Sequence, residues 1–513
     1  MSENWSSGYV TELSYTHGFY KELSPALLGF SALARGFRSS ADLSDTTTYC
    51  ELGSGQGLTA TLLAAANPEM DVYATDFNPG HTYNARRLAD AARLSNVHFF
   101  DDSFAEFDAR QDLPQFDIIA LHGIYSWIAR EHRETIVRFI DRRLKPGGLV
   151  YISYNCLPGW AGPSPIQHLI RMQAEKSSGP ILTRMNNALD FMEKFQESGA
   201  RYFKVTPGVK ERLQGLKGKN PNYLVHEYLN AEWKPFYHSD VVGDLSHARL
   251  SYVGSANILD HVDGLNLTDD QQALLKDAVD GVLRETLRDY IVNQQFRKDV
   301  FARGAVPLAL HEAREEWLDT RFALLTPSDD VPMKVKGALG EATLQEKAYR
   351  PVIKAFETDE GSASLRQVVS DKAIASLGWN RLQRILLTLV GAGHLQPCPS
   401  GKLDEAGRRE STRGFNEAII ARARHSDEFR YLASPVTGGG VGVSRFSQLF
   451  LLALQEKEED SVAFVWNILK RQNQKLTKDG KPLETDEENI SALKEKHALF
   501  QKHLPTLKRL GIA

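Results

Sequence analysis

The chain has 513 residues, of which 42% are hydrophobic and 25% are charged. This length exceeds what one apolar core normally serves and predicts about three folded units. The composition is typical of a soluble globular protein. The formal net charge of −4 provides no bulk field that would attract nucleic acid or an anionic membrane, so neither partner is expected.

The cysteines and the N-terminal residues further limit the kinds of site and the cellular location that we expect. Cys50, Cys156 and Cys398 are odd in number and far apart, which fits neither a disulfide framework nor a zinc site, so no metal is expected. No basic region precedes an apolar stretch at the start, and no apolar run approaches the roughly 18 residues of a membrane-spanning helix. We therefore expect a cytoplasmic protein without membrane insertion.

Residues 8–37 combine helical spacing of apolar side chains with many aromatics. The aliphatic members Leu23, Leu27, Leu28 and Leu33 predict an amphipathic helix packed on a sheet. The aromatic members have two interpretations, packing in that helix or forming a lid over a ligand: Tyr9, Tyr15, His17, Phe19 and Tyr20.

A glycine-rich turn separates the strand-like residues 48–50 from the helix-like residues 58–66. It consists of Glu51-Leu52-Gly53-Ser54-Gly55-Gln56-Gly57. The alternating glycines allow a tight turn and let the backbone approach a ligand closely, although such turns also occur as plain strand-to-helix connections. The G-x-G-x-G spacing with a preceding carboxylate resembles motif I of class I S-adenosylmethionine (SAM) methyltransferases.

Polar residues follow the next three predicted strands. The second strand, 70–75, ends at Asp76, about 20 residues after the turn, where an acidic residue meets ribose hydroxyls in nucleotide sites. The third, 97–100, precedes Asp102, and the fourth, 116–121, precedes His122. Helix-like segments 58–66, 81–94 and 133–144 alternate with these strands and predict a parallel, doubly wound α/β sheet.

The turn Lys145-Pro146-Gly147-Gly148 resembles the one that precedes the fifth strand of class I SAM methyltransferases. The resemblance implies a seven-stranded Rossmann-like methyltransferase core with SAM as its cofactor. In that pattern Asp102 and Ser103 lie at the adenine amine and Phe104 at the adenine face. The implied cofactor-binding residues are Glu51, Gly53, Ser54, Gly55, Gly57, Asp76, Phe77, Asn78, Asp102, Ser103, Phe104, His122 and Gly123.

Methyl transfer needs positioning and desolvation of the acceptor more than a covalent nucleophile. An apolar channel would lower the pKa of an acceptor lysine, and the aromatics after strands four and five have two interpretations, such a channel or plain packing. They are Tyr125, Trp127, Tyr154 and Trp160. His122 is either a general base or, as we favour, a cofactor-pocket residue. Tyr154, Tyr125 and His122 are the catalytic candidates.

The remaining chain predicts several further units. Residues 164–235 form a helical insertion, and the core resumes over 236–305, with sheet-like residues at 249–256 and a last strand near 297–303. With a helical cap over 1–45 and the core over 46–163, this leaves a middle unit, 306–405, and a helical C-terminal unit, 406–513. We expect residues 306–513 to recognise a protein substrate or form a homodimer without contributing to SAM binding.

The middle unit has extended-looking residues near 317–325 and 333–340, then helices at 347–356, 365–375 and 381–390. This order is winged-helix-like, but Arg381 and Arg384 are the only cations on the candidate reading helix, which favours protein contact over DNA. In the last unit, residues 434–440 contain three glycines that form either a ligand cradle or, more commonly, a flexible connector.

Several strings resemble bacterial methyltransferases that carry a methyltransferase regulatory domain, a group that includes lysine methyltransferases of outer-membrane proteins. They are His122-Gly123-Ile124-Tyr125-Ser126-Trp127, Ser153-Tyr154-Asn155-Cys156-Leu157-Pro158-Gly159-Trp160, His226-Glu227-Tyr228-Leu229-Asn230 and Lys478-Asp479-Gly480-Lys481-Pro482-Leu483-Glu484. The resemblance implies methylation of protein lysines. A small-molecule or glycan O-/N-methyltransferase and a SAM-sensing regulatory scaffold remain alternatives.

Overall fold

A computed structural model describes residues 9–10, 12–13, 16–38, 47–206, 208–216, 218–400 and 404–513. A seven-stranded sheet occupies the N-terminal half, in the order β3-β2-β1-β4-β5-β7-β6. Its strands are β1 (Thr48–Leu52), β2 (Asp71–Thr75), β3 (Val97–Phe100), β4 (Phe116–Leu121), β5 (Leu144–Asn155), β6 (Leu250–Ser255) and β7 (Phe296–Arg303). This order confirms the predicted doubly wound, seven-stranded core.

The strand directions correct one expectation. Strands β1 to β5 are parallel, whereas β7 runs antiparallel to both β5 and β6. Asn155, the last residue of β5, lies opposite Phe296, the first residue of β7. A strand that starts where its neighbour ends must run in the opposite direction. The side-chain period of a strand is the same in both directions, so the sequence pattern did not reveal this.

Helices cover both faces of the sheet. The first five are α1 (Pro25–Ala34), α2 (Leu58–Ala66), α3 (Pro79–Ala91), α4 (Phe104–Ala109) and α5 (Arg130–Arg143). Tyr49 and Tyr151 point into the core that contains α2 and α3, whereas Cys50 and Val150 point into the core that contains α4 and α5. This alternation, with both faces buried, explains the nearly continuous apolar runs of the strands.

The N-terminal segment is less helical than its spacing predicts. Helix α1 and a 3₁₀ turn, Lys21–Leu23, are its helical parts within the described residues. The described residues before Lys21 are not helical, because their aromatic rings contact separate parts of the protein: Tyr9 lies against Phe77, and Phe19 lies against Tyr431. Gly8, Tyr15 and the end of the predicted cap, residues 39–45, lie outside the described residues.

The predicted insertion is helical. It comprises α6 (Ser164–Lys176), α7 (Ile181–Glu197), α8 (Arg201–Val205), α9 (Val209–Leu216) and α10 (Pro221–Tyr228). These helices surround a core of their own, onto which Val10 and Leu13 of the N-terminal segment pack. The chain then returns to the sheet through α11 (His238–Ser246), β6, a 3₁₀ turn (Ile258–His261), α12 (Asp263–Asn266), α13 (Asp269–Asp277), α14 (Gly281–Val292) and β7.

The middle unit is mixed. Its elements are α15 (Leu310–Asp319), β8 (Arg321–Leu324), a 3₁₀ turn (Ser328–Asp330), β9 (Lys334–Gly337), β10 (Gly340–Thr343), α16 (Glu346–Ala355), β11 (Ala363–Ser364), α17 (Leu365–Val368), α18 (Lys372–Ala375), α19 (Trp379–Gly391) and β12 (Leu395–Pro397). Strand β8 lies between β11 and β12, and β9 pairs with β10. Trp317, expected in an extended segment, lies instead in α15, where it packs against Phe30 and Trp379. The winged-helix interpretation stays a prediction.

The C-terminal unit consists of helices and two hairpins. They are α20 (Glu405–Arg422), β13 (Tyr431–Ser434), β14 (Gly439–Gly442), α21 (Arg445–Gln455), α22 (Ser461–Arg471), β15 (Thr477–Lys478), β16 (Lys481–Pro482) and α23 (Asp486–Arg509). Both interpretations of the glycines at 438–440 are wrong, because Gly438 ends the buried turn of the β13–β14 hairpin and Gly439 and Gly440 begin β14. A Cβ at Gly440 would lie 2.8 Å from the Phe19 ring, so close packing requires glycine there.

One apolar core joins the C-terminal unit to the sheet. All nine residues of α2 are buried. The same core contains Tyr49 of β1, Leu62 of α2, Phe415 of α20 and Leu449 of α21. Within the described ranges, no helix combines the length and the apolar character needed to cross a membrane.

Candidate active site

The glycine turn adopts the tight backbone conformation that its sequence predicts. Gly53 and Gly57 have φ angles of +74° and +69°, in the left-handed region that glycine tolerates. A Cβ at Gly53 would lie 2.4 Å from Cδ1 of Ile124, and a Cβ at Gly57 would lie 2.4 Å from Cβ of Ala85. Gly53 therefore keeps space open beside the cavity, whereas Gly57 allows α2 to approach α3.

A cavity of about 1200 Å³, including its open mouth, lies at the carboxyl ends of β1 to β4. This is where open α/β sheets bind ligands. The structure brings together at this cavity most of the residues that the sequence implied for the cofactor: Glu51, Gly53, Ser54, Gly55, Asp76, Phe77, Asp102, Ser103, Phe104, His122 and Gly123.

Gly57 and Asn78 do not line the cavity and serve helix starts instead. Gly57 precedes α2, and the Asn78 side chain accepts a hydrogen bond of 2.9 Å from the Gly80 amide at the start of α3. Their predicted contact with the cofactor is therefore corrected. Both positions therefore support the helices that flank the cavity.

Two carboxylates lie on the floor of the cavity. The Asp76 Oδ2 atom accepts a hydrogen bond of 2.9 Å from the Gly55 amide, and its Oδ1 atom accepts one of 3.0 Å from the Asn78 amide. The Glu51 carboxyl is buried, and its Oε2 atom has no hydrogen-bond partner among the described residues. Burial, and secondarily the charge of Asp76, raise the pKa of Glu51 to about 8.

Asp102, Ser103 and Phe104 form the adjoining side of the cavity. Asp102 Oδ2 lies 3.2 Å from Arg110 Nη1, and the Asp102 carbonyl accepts from the Thr75 hydroxyl at 2.7 Å. Ser103 caps α4, since its hydroxyl accepts from the Glu106 amide. These contacts fix the start of α4, from which Phe104 projects toward the cavity.

His122 is a neutral pocket residue. Its ring stacks on Tyr20 with centroids 3.7 Å apart, and its Nδ1 atom lies 2.8 Å from the Tyr151 hydroxyl. Burial, and then the charge of Lys298, lower the pKa of His122 to about 3. An imidazole with so low a pKa is a weak proton acceptor near pH 7, which favours the pocket role over the general base.

The tyrosines expected to line an acceptor channel lie elsewhere. Tyr125 is buried, and its hydroxyl donates to Asp244 at 2.6 Å; Tyr154 is also buried, and its hydroxyl donates to Asp299 at 2.6 Å. Neither residue lines the cavity, so the predicted channel of Tyr125 and Tyr154 is wrong. Tyr125 begins the 3₁₀ turn Tyr125–Trp127 after β4, whereas Tyr154 is on β5, and both side chains belong to the core that contains α4 and α5.

The other two aromatic residues of the predicted channel lie in different places. Trp127 does line the cavity, and its indole Nε1 has no hydrogen-bond partner among the described residues. Trp160 instead packs edge-on against Trp233, with the Arg212 guanidinium 3.8 Å from its ring centroid. The packing interpretation holds for Trp160.

The lining also includes residues outside the set that the resemblance implied for the cofactor. From the N-terminal segment come Tyr9, Thr16, Gly18 and Tyr20; from α2 and α3 come Leu58, Thr59 and His81, with Gln56 from the turn; Ile124, Ile128 and His132 follow β4. Tyr9 and Tyr20 line the cavity, and the lid interpretation stays a prediction for them. It is wrong for His17 and Phe19, which contact Phe429 and Tyr431 of the C-terminal unit.

Comparison with known proteins agrees with this geometry. The family model of a methyltransferase domain matches residues 50–150, and that of a predicted methyltransferase regulatory domain matches residues 220–303. The Synechocystis protein sll1526 is 44% identical over 510 residues, which cover 99% of this chain and 100% of that protein. The chain belongs to the family of methyltransferases with a regulatory domain.

Two further proteins are similar to this methyltransferase. The Rickettsia prowazekii protein RP789 is 26% identical over 270 residues, which cover 52% of this chain and 48% of that protein. The structure of PKMT2 from Rickettsia typhi in complex with AdoHcy matches with a TM-score of 0.69 at 18% identity, covering 97% of this chain and 100% of that one. The fold is therefore shared over nearly the whole length.

The cofactor is SAM, and the cavity fits it. The unpartnered Glu51 Oε2 is a buried acceptor suited to an ammonium group such as that of the methionine part of SAM, since a buried acceptor without a partner is costly. Gly53 leaves room where a Cβ would collide with Ile124. Asp76 presents a carboxylate at the end of β2, where ribose hydroxyls bind in related folds.

Proposed function

We propose that this methyltransferase transfers methyl groups to lysine side chains of a protein substrate. The charge of the cavity is the observation that supports this proposal most directly. Among the described residues that line it, Glu51, Asp76 and Asp102 carry carboxyl groups and none is lysine or arginine, and a cation that approaches Glu51 favours its ionised form. Such a site favours cationic ligands, and both SAM and a lysine ammonium are cationic.

The aromatic wall supports the same proposal. Tyr20, Phe77, Phe104 and Trp127 line the cavity together with Ile128. An apolar surrounding disfavours the charged form of an amine and so lowers the pKa of lysine toward neutrality. When bound, SAM supplies an activated methyl group, so the protein has to position and desolvate the amine. The His122–Trp127 and His226–Asn230 strings resemble methyltransferases with a regulatory domain, a group that includes lysine methyltransferases of outer-membrane proteins, and this resemblance also supports the proposal.

Tritiated-methyl transfer tests the acceptor class. We expect incubation with labelled SAM to label proteins in fractionated lysate, and mass spectrometry of the labelled peptides to locate the methyl groups on lysine nitrogen. An Asp76→Ala variant should label the same fractions far more weakly, which controls for contaminating enzymes. Label found on oxygen, or in small metabolites alone, would replace the proposal with the small-molecule or glycan alternative. Binding of SAM without any labelled product would favour the sensing scaffold.

A further inference from the structure

Three neighbouring strands place a row of side chains beneath the cavity. Glu51 of β1 lies opposite Ala120 of β4, and Ala120 lies opposite Tyr151 of β5. Partners in a parallel sheet point to the same face, so Glu51 and Tyr151 lie about 10 Å apart, two strand spacings, with the small Ala120 between them. His122 follows β4 and bends over this row, because its Nδ1 atom lies 2.8 Å from the Tyr151 hydroxyl. His122 therefore lies between the strands that carry Glu51 and Tyr151.

Two buried hydroxyl groups approach the same nitrogen of His122. The Tyr151 hydroxyl lies 2.8 Å from Nδ1, and the Ser153 hydroxyl lies 3.3 Å from it. Ser153 also accepts a hydrogen bond of 2.9 Å from the Gly123 amide and hydrogen-bonds Tyr151. Both hydroxyl groups are fully buried. Their protons must find acceptors within this group, because a buried donor without a partner is costly.

These contacts determine which nitrogen of the neutral His122 ring carries the proton. A backbone amide can only donate, so the Ser153 oxygen accepts from Gly123, and its own proton goes to Tyr151 or to His122. If Nδ1 is unprotonated, it accepts from Tyr151 and every donor of the group has a partner. If Nδ1 carried the proton, it would donate to Tyr151, and one hydroxyl proton would be left without an acceptor among the described residues. The proton therefore belongs on Nε2.

The Nε2 side of the ring is available to a ligand. Tyr20 stacks on the face of His122 with centroids 3.7 Å apart, and the Phe296 ring lies edge-on at 6.0 Å. Within the described part of the chain, the hydrogen-bonding contacts of the His122 ring all involve Nδ1. Since His122 lines the cavity, its Nε2 proton can be donated to a ligand there.

The cofactor has a carboxylate for which the described lining offers no lysine or arginine. In the methionine part of SAM, this carboxylate and the ammonium group are attached to the same carbon. Glu51, at the end of β1, suits the ammonium group, and β4 is the next strand after β2 and β1. Lys298, whose charge acts on His122, pairs with Glu22 at 2.7 Å and does not line the cavity. The carboxylate therefore depends on neutral N–H donors near the end of β4.

We propose that the Nε2 proton of His122 is donated to the carboxylate of the cofactor, and that Tyr151 and Ser153 are positioning residues that hold it there. Glu51 and His122 then bind the two charged groups of the same amino acid, from neighbouring strands. A neutral donor suits this site, because a charged imidazolium would repel the sulfonium and ammonium groups of SAM. The inference concerns recognition of the cofactor and does not depend on the class of methyl acceptor.

Nitrogen-15 NMR of the full-length protein with labelled histidine tests the proton position directly. The signals of His122 are identified by their loss in His122→Gln. We expect the ligand-free protein at pH 7 to show a neutral ring with the proton on Nε2, and we expect AdoHcy to shift the Nε2 signal without moving the proton. A proton on Nδ1, or a charged ring, would overturn the proposal.

A pair of ligands tests the contact with the carboxylate. S-adenosyl-3-thiopropylamine is AdoHcy without its carboxylate, and calorimetry gives the ratio of the two dissociation constants, the carboxylate preference. We expect His122→Asn to lower this preference about tenfold, because a charge-assisted hydrogen bond is lost. The longer side chain in His122→Gln places an amide N–H near the position of Nε2 and should retain most of the preference. This comparison separates the loss of one donor from a general disturbance of the site.

A second pair of variants tests the positioning role. Tyr151→Phe/Ser153→Ala removes both hydroxyl groups beside Nδ1, so the ring loses its fixed orientation and the carboxylate preference should fall severalfold. The matched control is Tyr49→Phe, because Tyr49 is an equally buried tyrosine of the same core whose hydroxyl donates to the Leu23 carbonyl at 3.3 Å. The control should keep the preference of the unaltered protein. Equal preferences in the two variants would overturn the positioning role.

The remaining outcomes decide the carboxylate contact itself. An unchanged preference in His122→Asn overturns it. A preference that is lost in Trp127→Phe and kept in His122→Asn would assign the carboxylate to the unpartnered indole N–H of Trp127 and would also overturn it. Because these measurements contain no methyl acceptor, their failure leaves the proposed function open, and failure of the labelling experiment leaves this inference open.

Discussion

At the scale of single residues, the site depends on carboxylates that the sequence placed correctly. Asp76 and Glu51 both follow from the motif, and both line the cavity. Their environments differ, because Asp76 accepts backbone amides whereas Glu51 has an unpartnered oxygen. The two therefore respond differently to substitution and to pH.

Asp76→Ala should weaken SAM binding by roughly 2 to 3 kcal/mol, because it removes a charged acceptor for the ribose hydroxyls. Isothermal titration calorimetry measures the change. Asp71→Ala, at the exposed start of the same strand, is the matched control and should leave the affinity unaltered. Equal affinity of the Asp76→Ala and Asp71→Ala proteins for SAM would contradict the assignment of Asp76.

The raised pKa of Glu51 predicts that cofactor binding releases a proton. In the free protein the pKa of Glu51 is raised to about 8, so the carboxyl is largely protonated near pH 7. An ammonium group of the ligand stabilises the ionised form and lowers this pKa in the complex, so affinity for AdoHcy should rise with pH up to about 8. Above that pH the α-amino group of the ligand, with a pKa of about 8, loses its charge and the rise should stop.

Calorimetry in two buffers of different ionisation enthalpy measures the proton released. The Glu51→Gln variant should release none from this position and should show a flatter pH profile. A profile that is the same in both proteins would show that Glu51 does not titrate on binding.

At the scale of elements, some residues that the sequence suggests as ligand contacts line the cavity, whereas others pack against neighbouring elements. Gly57 and Tyr154 are examples. Gly57 allows α2 to approach α3, and Tyr154 on β5 bonds to Asp299 on β7. Their motifs are easily read, but whether a motif residue touches the ligand or its neighbours depends on the packing of elements distant in sequence.

Gly57→Ala should destabilise the fold by about 2 to 4 kcal/mol, since it adds steric overlap with Ala85 and Phe99 to the strain of a positive φ angle. Gly199→Ala is the matched control, because Gly199 has a φ of +76° with open space around its Cβ position. The difference between the two variants in the free energy of unfolding isolates the packing part. Similar values for both would show that α2 and α3 can separate at little cost.

Tyr154→Phe should lower the free energy of unfolding by about 1 to 2 kcal/mol, because Asp299 loses a buried hydrogen-bond donor. Methyl transfer per folded molecule should change little, in contrast to the catalytic role expected from the sequence. Denaturant unfolding and initial-rate measurements on the same sample separate the two effects. A large loss of rate with unchanged stability would restore Tyr154 to the catalytic candidates.

At the scale of the whole molecule, the sheet and the C-terminal unit share one core. Arg408 of α20 is 1% exposed, donates to the Pro435 carbonyl, hydrogen-bonds Asn67 and pairs with Glu69 at 3.1 Å after α2. The buried helix α2 begins at the glycine turn of the cofactor site. No described residue of 306–513 lines the cofactor cavity, and the expectation that they do not contribute to SAM binding stays a prediction.

A chain that ends at residue 305 should lose SAM binding, because the face of α2 that packs on α20 and β13 becomes exposed to water. Calorimetry and circular dichroism on the purified fragment measure this. Co-expression with residues 306–513 should restore a folded complex that binds SAM. A fragment of residues 1–305 that is folded and binds SAM with full affinity would show that the two parts are independent.

The sequence alone predicted the methyltransferase core, because each motif of that core lies within a few consecutive residues. The glycine turn, Asp76 and Asp102 lie directly after strands whose order follows from alternating strand and helix patterns. The same locality explains the errors. The direction of β7, the hairpin at Gly438 and the burial of Tyr125 and Tyr154 depend on partners more than 60 residues away, such as Asp244, Asp299 and Phe19.

Sequence thus determined which chemistry this protein performs, since the cofactor groups are contributed by short motifs whose backbone geometry is set within each motif. Tertiary structure decided which side chains complete the wall of the cofactor cavity. The N-terminal segment is held beside the cavity because the Val10 amide donates to Asn230, just after α10, and His226 of α10 hydrogen-bonds the Leu13 carbonyl. These neighbours come together through packing of a distant insertion, which no local pattern encodes.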